Sequence, residues 1–135
     1  MQADAESVRA LNVRFYRALS AQNLLEMEAI WSHATHVRCV HPGASLLRGW
    51  DSIRDSWRDV FRGAICMTVE PEDEQVTVHG LMAIVTCNEN ITQFTLDGSS
   101  SVRALATNVY EKRQGRWQLI VHHASPLASR NGGAV

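Results

Sequence analysis

The sequence has few cysteines, and no two of them are closely spaced. Its three cysteines are Cys39, Cys66 and Cys87, and no two form a C-x-x-C motif. An odd, scattered set is not a disulfide framework and lacks the spacing of a zinc or redox motif. We therefore expect buried, reduced thiols in a cytosolic protein.

An excess of one charge and long apolar runs are also lacking. The chain has 13 basic and 14 acidic residues, a formal net charge of −1, and no long run of either sign. Binding to nucleic acid or to a membrane surface needs a basic patch, so we predict neither partner. The first residues do not form the apolar stretch of a signal peptide, and no window approaches the roughly 20 apolar residues of a membrane span. A cytoplasmic location follows by default.

Motifs that would hold a cofactor or a metal are absent as well. The sequence contains no glycine-rich phosphate loop, no G-x-S-x-G motif and no H-E-x-x-H motif. His33, His36 and His41 are close in sequence, but strand alternation places His36 and His41 on opposite faces. We predict no cofactor and no metal site.

The composition is that of one globular domain. The chain has 135 residues, of which 45% are hydrophobic and 20% are charged, and this length is enough for a single core. We predict one domain over residues 1–128. The small, polar residues 129–135 should form a disordered tail.

Periodicity predicts helices in the first half of the chain and strands in the second. Apolar residues at three- and four-residue spacing predict three helices. These contain Val8, Leu11, Phe15, Ala18 and Leu19 in the first, Leu24, Met27, Ile30 and Trp31 in the second, and a third from about Asp51 to Phe61. Strand-rich segments are 36–41, 76–78, 82–96, 102–112 and 117–125, and the last four are separated by the short turns 79–80, 97–98 and 114–115.

This order of elements predicts an α+β fold. Strands joined by short turns form an antiparallel meander, and helices that precede a meander pack on one face of it. Strands of ten or more residues do not stay flat. The sheet should therefore curl around the helices and enclose a pocket.

Six local motifs resemble the nuclear-transport-factor-2-like superfamily, and its SnoaL-like branch most of all. In order, they are residues 14–19, Trp31, residues 41–43, residues 47–49 with Ile53 and Trp57, residues 106–110, and residues 115–119 with 122–126. Together they span about residues 5–127. The resemblance implies a cone-shaped α+β barrel that forms a homodimer through its open sheet. Members include ketosteroid isomerase, polyketide cyclases, dehydratases, epoxide hydrolases and association modules without chemistry, so the fold does not select a reaction.

Three positions depart from the ketosteroid isomerase pattern. By that resemblance, His41 stands where the enzyme has its aspartate base, Phe15 where it has a tyrosine donor, and Asn108 near its second aspartate. Steroid isomerisation by the same mechanism is therefore not expected. Tyr16 follows Phe15 but lies about 100° round the helix, so it would need a shift to replace the tyrosine.

Strand alternation suggests a buried carboxylate. Val85, Cys87, Glu89 and Ile91 share the apolar face of one strand, so Glu89 is expected among apolar neighbours. A carboxyl group in such a place has a raised pKa and is a good general acid or base. The alternative is a structural carboxylate that is paired with an arginine such as Arg103.

Asn108, His122 and His123 are the other candidate catalytic residues. Asn108 follows small residues on one strand face, where its amide could orient a substrate carbonyl or bond within the sheet. His122 and His123 are adjacent on a strand and face opposite ways, and both faces are apolar, so the pattern does not choose between them. The aromatic residues expected to line the pocket are Phe15, Tyr16, Trp31, Trp57 and Tyr110, although Trp57 could equally cap the core.

The sequence thus predicts a pocket for a small, largely apolar organic molecule. If it is catalytic, cofactor-free isomerisation, cyclisation or dehydration fits best: Glu89 or His41 removes a proton, and Asn108 and a histidine hold the oxyanion. The alternative is a non-catalytic ligand-binding or dimeric association module. In that case the strand face of Thr86, Asn88, Asn90 and Thr92 would pack against a second subunit.

Overall fold

Three helices and six strands make up the chain. The computed structural model describes residues 2–128, and the tail predicted at 129–135 lies outside them. The helices are α1 (Gln2–Ser20), α2 (Leu24–Ile30) and α3 (Trp50–Arg62). The strands are β1 (Arg38–Val40), β2 (Leu47–Arg48), β3 (Cys66–His79), β4 (Met82–Thr95), β5 (Gly98–Arg113) and β6 (Arg116–Pro126).

The helices lie where their periodicity predicts them, and local chemistry sets their ends. The Asn23 side chain caps α2 by accepting a hydrogen bond from the Glu26 amide at 3.1 Å. The residue before α3 is Gly49, at φ 83°, and it makes no side-chain cap bond, so the capping role predicted for Asp51 or its neighbour is wrong. Among residues 2–128, no helix is long and apolar enough to cross a membrane.

The sheet has the order β2-β1-β6-β5-β4-β3. Strands β3 to β6 form the predicted antiparallel meander. Strand β1 pairs with β6 in parallel, which makes the whole sheet mixed, a feature the sequence pattern did not indicate. The sheet is strongly curved but does not close, because β2 and β3 are its free edges.

The core lies between the helices and one face of this sheet. Helix α1 packs against β3, β4 and β6, and Val8 and Phe15 on its inner face are fully buried. The face predicted to be apolar on β4 is buried from Ala83 to Glu89, and the matching face of β5 is buried from Ala104 to Tyr110. These two strands carry the polar side chains of the candidate site.

Two bulges alter the side-chain alternation. In β6, Val121 pairs with Val109 and Leu119 with Tyr110, so Ile120 is an extra residue. Leu119 and Ile120 are consequently both buried, and the alternation beyond them is reversed. A second bulge lies between Glu72 and Gln75 in β3, beyond the short segment 76–78 that the sequence pattern identified.

Candidate functional site

A cavity of about 220 Å³ lies between α1, α3 and the sheet. Its wall is mainly apolar and consists of Leu19, His41, Pro42, Trp57, Val60, Met67, Val69, Glu89, Ile91, Gln93, Val102 and His122. The volume equals that of about seven water molecules, which suits a small organic molecule. A wider groove of about 460 Å³ shares only Ile91 and Val102 with it and is lined by no buried titratable group.

Glu89 reaches the cavity wall from β4. It is 2% exposed, and the Tyr16 hydroxyl donates a hydrogen bond to its Oε2 at 2.7 Å. Burial raises the pKa of Glu89, and the Tyr16 bond opposes part of that rise. The alternative partner Arg103 is opposite Asn90, one residue further on, where the side chains point to the other face. Glu89 is therefore a buried carboxyl group that is partnered by a phenol and by no arginine.

Tyr16 contributes to the site without a shift of the helix. Both it and Phe15 are buried, with their rings edge to face at 4.9 Å. The Tyr16 hydroxyl also lies 3.3 Å from Cys87 Sγ. Phe15 packs behind the cavity against Trp57 and His122, and it is not part of the cavity wall. The sequence argument about the 100° offset did not allow for a helix face wide enough to bury two adjacent residues.

His122 is the histidine that faces inward. The bulge at Ile120 places it 2% exposed on the core side, while His123 is exposed on the outer face and away from the cavity. His122 Nε2 lies 3.9 Å from Glu89 Oε2, which is too long for a hydrogen bond. Burial, with smaller contributions from His41 and His123, lowers the pKa of His122 to about 3. The imidazole is therefore neutral near pH 7.

Asn108 sets the orientation of His122 and has no free donor for a substrate. Its Oδ1 lies 2.6 Å from His122 Nδ1, and because an amide oxygen only accepts, Nδ1 carries the hydrogen. The Asn108 Nδ2 group donates to Asn12 Oδ1 at 2.9 Å and to the Tyr16 hydroxyl at 3.1 Å. Both amide hydrogens are thus engaged. The predicted contact of Asn108 with a substrate carbonyl is replaced by a contact with the cavity histidine.

His41 forms part of the wall at the opposite side. Ser56 donates its hydroxyl hydrogen to the Ile53 carbonyl at 2.6 Å, so its Oγ accepts from His41 Nε2–H at 2.8 Å. The His41 ring meets Trp57 edge to face at 4.5 Å, and burial lowers the pKa of His41. Like His122, it is uncharged in its resting state.

Two residues of the site were missed by the sequence argument. Asn12 is fully buried on α1, and it accepts from the Tyr110 hydroxyl at 2.8 Å and donates to Glu74 Oε2 at 2.6 Å. A signal for Asn12 existed, since it lies four residues after Val8 and four before Tyr16 on the apolar face. Glu74 gave no signal, because only the bulge in β3 turns its side chain toward α1.

The remaining predicted pocket residues lie outside the cavity wall. Trp31 is fully buried near Trp50, with 6.2 Å between the ring centroids, and Tyr110 supports Asn12. Trp57 both lines the cavity and packs in the core, so its two predicted roles coexist. Within residues 2–128, no group of three or more His, Cys, Asp or Glu side chains converges on a metal position.

Comparison with known proteins identifies the family. The sequence model described as a SnoaL-like domain matches residues 8–129. A proposed dehydratase of the NTF2-like family from Streptomyces avermitilis is 29% identical, with a TM-score of 0.86 over 95% of this chain and 99% of that chain. A proposed calcium/calmodulin-dependent protein kinase type II association domain from Thiobacillus denitrificans is 30% identical, with a TM-score of 0.79 over 89% of this chain and 94% of that chain.

One plant protein is also similar. The F-box protein SKIP8 of Arabidopsis thaliana is 25% identical over 125 residues, which are 93% of this chain. The chain spans about half, 52%, of that relative's length. The similarity therefore concerns a part of the plant protein.

Proposed function

Since the chain belongs to the SnoaL-like domain family, we propose that its cavity binds a small, largely apolar organic molecule and transfers a proton on it without a cofactor. Isomerisation, cyclisation and dehydration are the reactions of this kind. The wall contains no lysine or arginine, so the proposed ligand is uncharged.

The carrying observation is the state of Glu89. A carboxyl group that is 2% exposed at a cavity wall and has a raised pKa is a stronger base, once ionised, than an exposed one. The Tyr16 hydroxyl, 2.7 Å away, stabilises the ionised form by donating to it. Glu89 is therefore suited to take a proton from a carbon atom and return it to another.

The proton balance needs no further reagent. Glu89 removes a proton from a carbon next to a carbonyl group, the C–H electron pair moves to the carbonyl oxygen, and the same proton returns at a different carbon. His122, with an unprotonated Nε2 at 3.9 Å, is a second place for the proton. His41 is the weaker candidate for the base because its Nε2–H already donates to Ser56.

A small ketone tests the proposal. 3-Cyclohexenone becomes the conjugated 2-cyclohexenone by loss of one proton from carbon and gain of another, and conjugation gives an ultraviolet signal. We expect the protein to accelerate this conversion and Glu89→Gln to lower the rate by roughly 100-fold or more, because glutamine cannot accept the proton.

The control is Glu70→Gln, which removes the same charge from an exposed position on β3 and should leave the rate unchanged. A Glu89→Gln protein as active as the original would exclude Glu89 as the base. If the protein has no effect on the ketone, the result would favour the second candidate function, a non-catalytic module.

The second candidate is supported by the similarity to a proposed kinase association domain at 30% identity. The outer sheet face carries Thr86, Asn88, Asn90 and Thr92, with Ile84 and Leu105 exposed beside them. We propose that a second copy of the chain covers this face. The cytoplasmic location stays a prediction from the sequence.

Light scattering checks the homodimer. We expect twice the mass of one chain, and the mass of a single chain for the double variant Thr86→Arg with Asn90→Arg, because four like charges would meet across the interface. Ser7→Arg, at an exposed position of α1, is the control and should remain dimeric. A single-chain mass for the unmodified protein would contradict this proposal.

A further inference from the structure

A line of hydrogen bonds crosses the core from the bulge in β3 to the cavity. It runs from Glu74 Oε2 to Asn12 over 2.6 Å, from Asn12 to Asn108 over 2.9 Å, and from Asn108 to His122 Nδ1 over 2.6 Å. Asn12, Asn108 and His122 are each at most 2% exposed, so water does not compete for these bonds. Glu74 is half-buried at the outer end.

Each amide in this line has one donating end and one accepting end, so the line has a direction. The Glu74 carboxylate only accepts, which turns the Asn12 Nδ2 group toward it and the Asn12 oxygen toward Asn108. Asn108 must then donate to Asn12 and present its own oxygen to His122. The imidazole can answer an oxygen only with an N–H, so the hydrogen is placed on Nδ1.

The two tyrosines that touch this line do not choose its direction. The Tyr110 hydroxyl donates to Asn12, and the Tyr16 hydroxyl accepts from Asn108 and donates to Glu89. A hydroxyl group can rotate to donate or accept, so both would adapt to the reverse order. The carboxylate at the outer end is the one group in the line that cannot adapt.

We propose that Glu74 is a positioning residue that acts through Asn12 and Asn108 to hold His122 in its Nδ1–H form. In the reverse order, Asn108 would donate to Nδ1, and Nε2–H would point at Glu89. The short contact at the Glu74 end, 2.6 Å against 3.9 Å between His122 and Glu89, favours the observed order.

The consequence for the site rests on the proposed function. With the hydrogen on Nδ1, His122 offers Glu89 an unprotonated Nε2, which favours the protonated carboxyl group and can receive its proton. In the reverse order Nε2–H would instead stabilise the Glu89 carboxylate. Glu74 would thus determine which partner of the pair carries the proton, from a position outside the cavity wall.

The ring hydrogens of His122 can be observed directly in the free protein. Long-range ¹H–¹⁵N correlation spectra of ¹⁵N-histidine-labelled protein distinguish protonated from unprotonated ring nitrogens, and His122→Asn identifies the signals. We expect the Nδ1–H form in the original protein. In Glu74→Met, which keeps the chain length and removes the acceptor, the ratio of Nε2–H to Nδ1–H should rise roughly tenfold or more.

Glu74→Gln separates the acceptor from the charge. Its amide oxygen can still accept from Asn12, so this variant should keep most of the Nδ1–H form. Glu70→Met, on the same strand, controls for the new methionine. Glu74→Ala removes the same acceptor and replaces Glu74→Met if that variant does not fold.

Three results would overturn the proposal: an unchanged tautomer in both acceptor-free variants, an equal change in Glu70→Met, or an equal change in Glu74→Gln. None of these measurements uses a substrate. They therefore distinguish failure of this inference from failure of the proposed reaction.

Discussion

His122→Asn is expected to remove much of the protein's sensitivity to unfolding in mild acid. The pKa of His122 is about 3 in the folded protein and near 6.5 in an unfolded chain. As the pH falls below 6.5, the unfolded state takes up a proton that the folded state refuses, so the free energy of unfolding decreases. The stability present above pH 6.5 is lost progressively down to about pH 3, and the loss amounts to about 3–5 kcal/mol.

The asparagine variant has no such group, and its side-chain NH₂ can still donate to Asn108. Urea unfolding near pH 7 and near pH 4 should show a much smaller difference for His122→Asn than for the original protein. His123→Asn is the matched control, because it removes the adjacent, exposed histidine. Equal acid sensitivity in all three proteins would show that His122 is not buried in its neutral form.

Asn12→Ala is expected to lower the free energy of unfolding by about 2–5 kcal/mol. Asn12 makes three hydrogen bonds, to Glu74, Asn108 and Tyr110. Its loss leaves an amide N–H of Asn108 and the Tyr110 hydroxyl without a partner, and each unpaired buried group costs about 1–3 kcal/mol. Glu74 contributes less, because it is half-buried and can turn toward solvent.

Urea denaturation measures this loss. The control is Asn88→Ala, which makes the same substitution on the outer face of β4 and should change the stability by no more than about 0.5 kcal/mol. A loss below about 1 kcal/mol for Asn12→Ala would mean that the core reorganises around its absence, and the line from Glu74 to His122 would not be a rigid element.

Sequence periodicity located the buried carboxylate correctly. Glu89 lies in phase with Val85 and Cys87 on a regular strand, and regular strands keep their alternation. The helices and the meander were predictable for the same reason, since each depends on contacts between residues close in sequence. The three-residue strand β1 is too short for a pattern, and its parallel pairing with β6 depends on the whole fold.

The parts that sequence could not provide depend on irregularities and on hydrogen-bond direction. The choice between His122 and His123 is decided by one extra residue, Ile120, in the pairing of β5 with β6. Glu74 enters the core through a second bulge. Asn108 was correctly placed in the interior, but its role follows from which partners use its two hydrogens, and a single strand pattern does not contain that information.

The protonation of Glu89 is the central claim, and NMR titration of its side-chain carboxyl carbon in ¹³C-glutamate-labelled protein tests it directly. Glu89→Gln identifies the signal. We predict a midpoint clearly above that of Glu70, which is exposed on the neighbouring strand β3. A Glu89 midpoint together with that of Glu70, at about the ordinary value of 4.3, would contradict the account, because it would mean that the carboxyl group is in contact with bulk water.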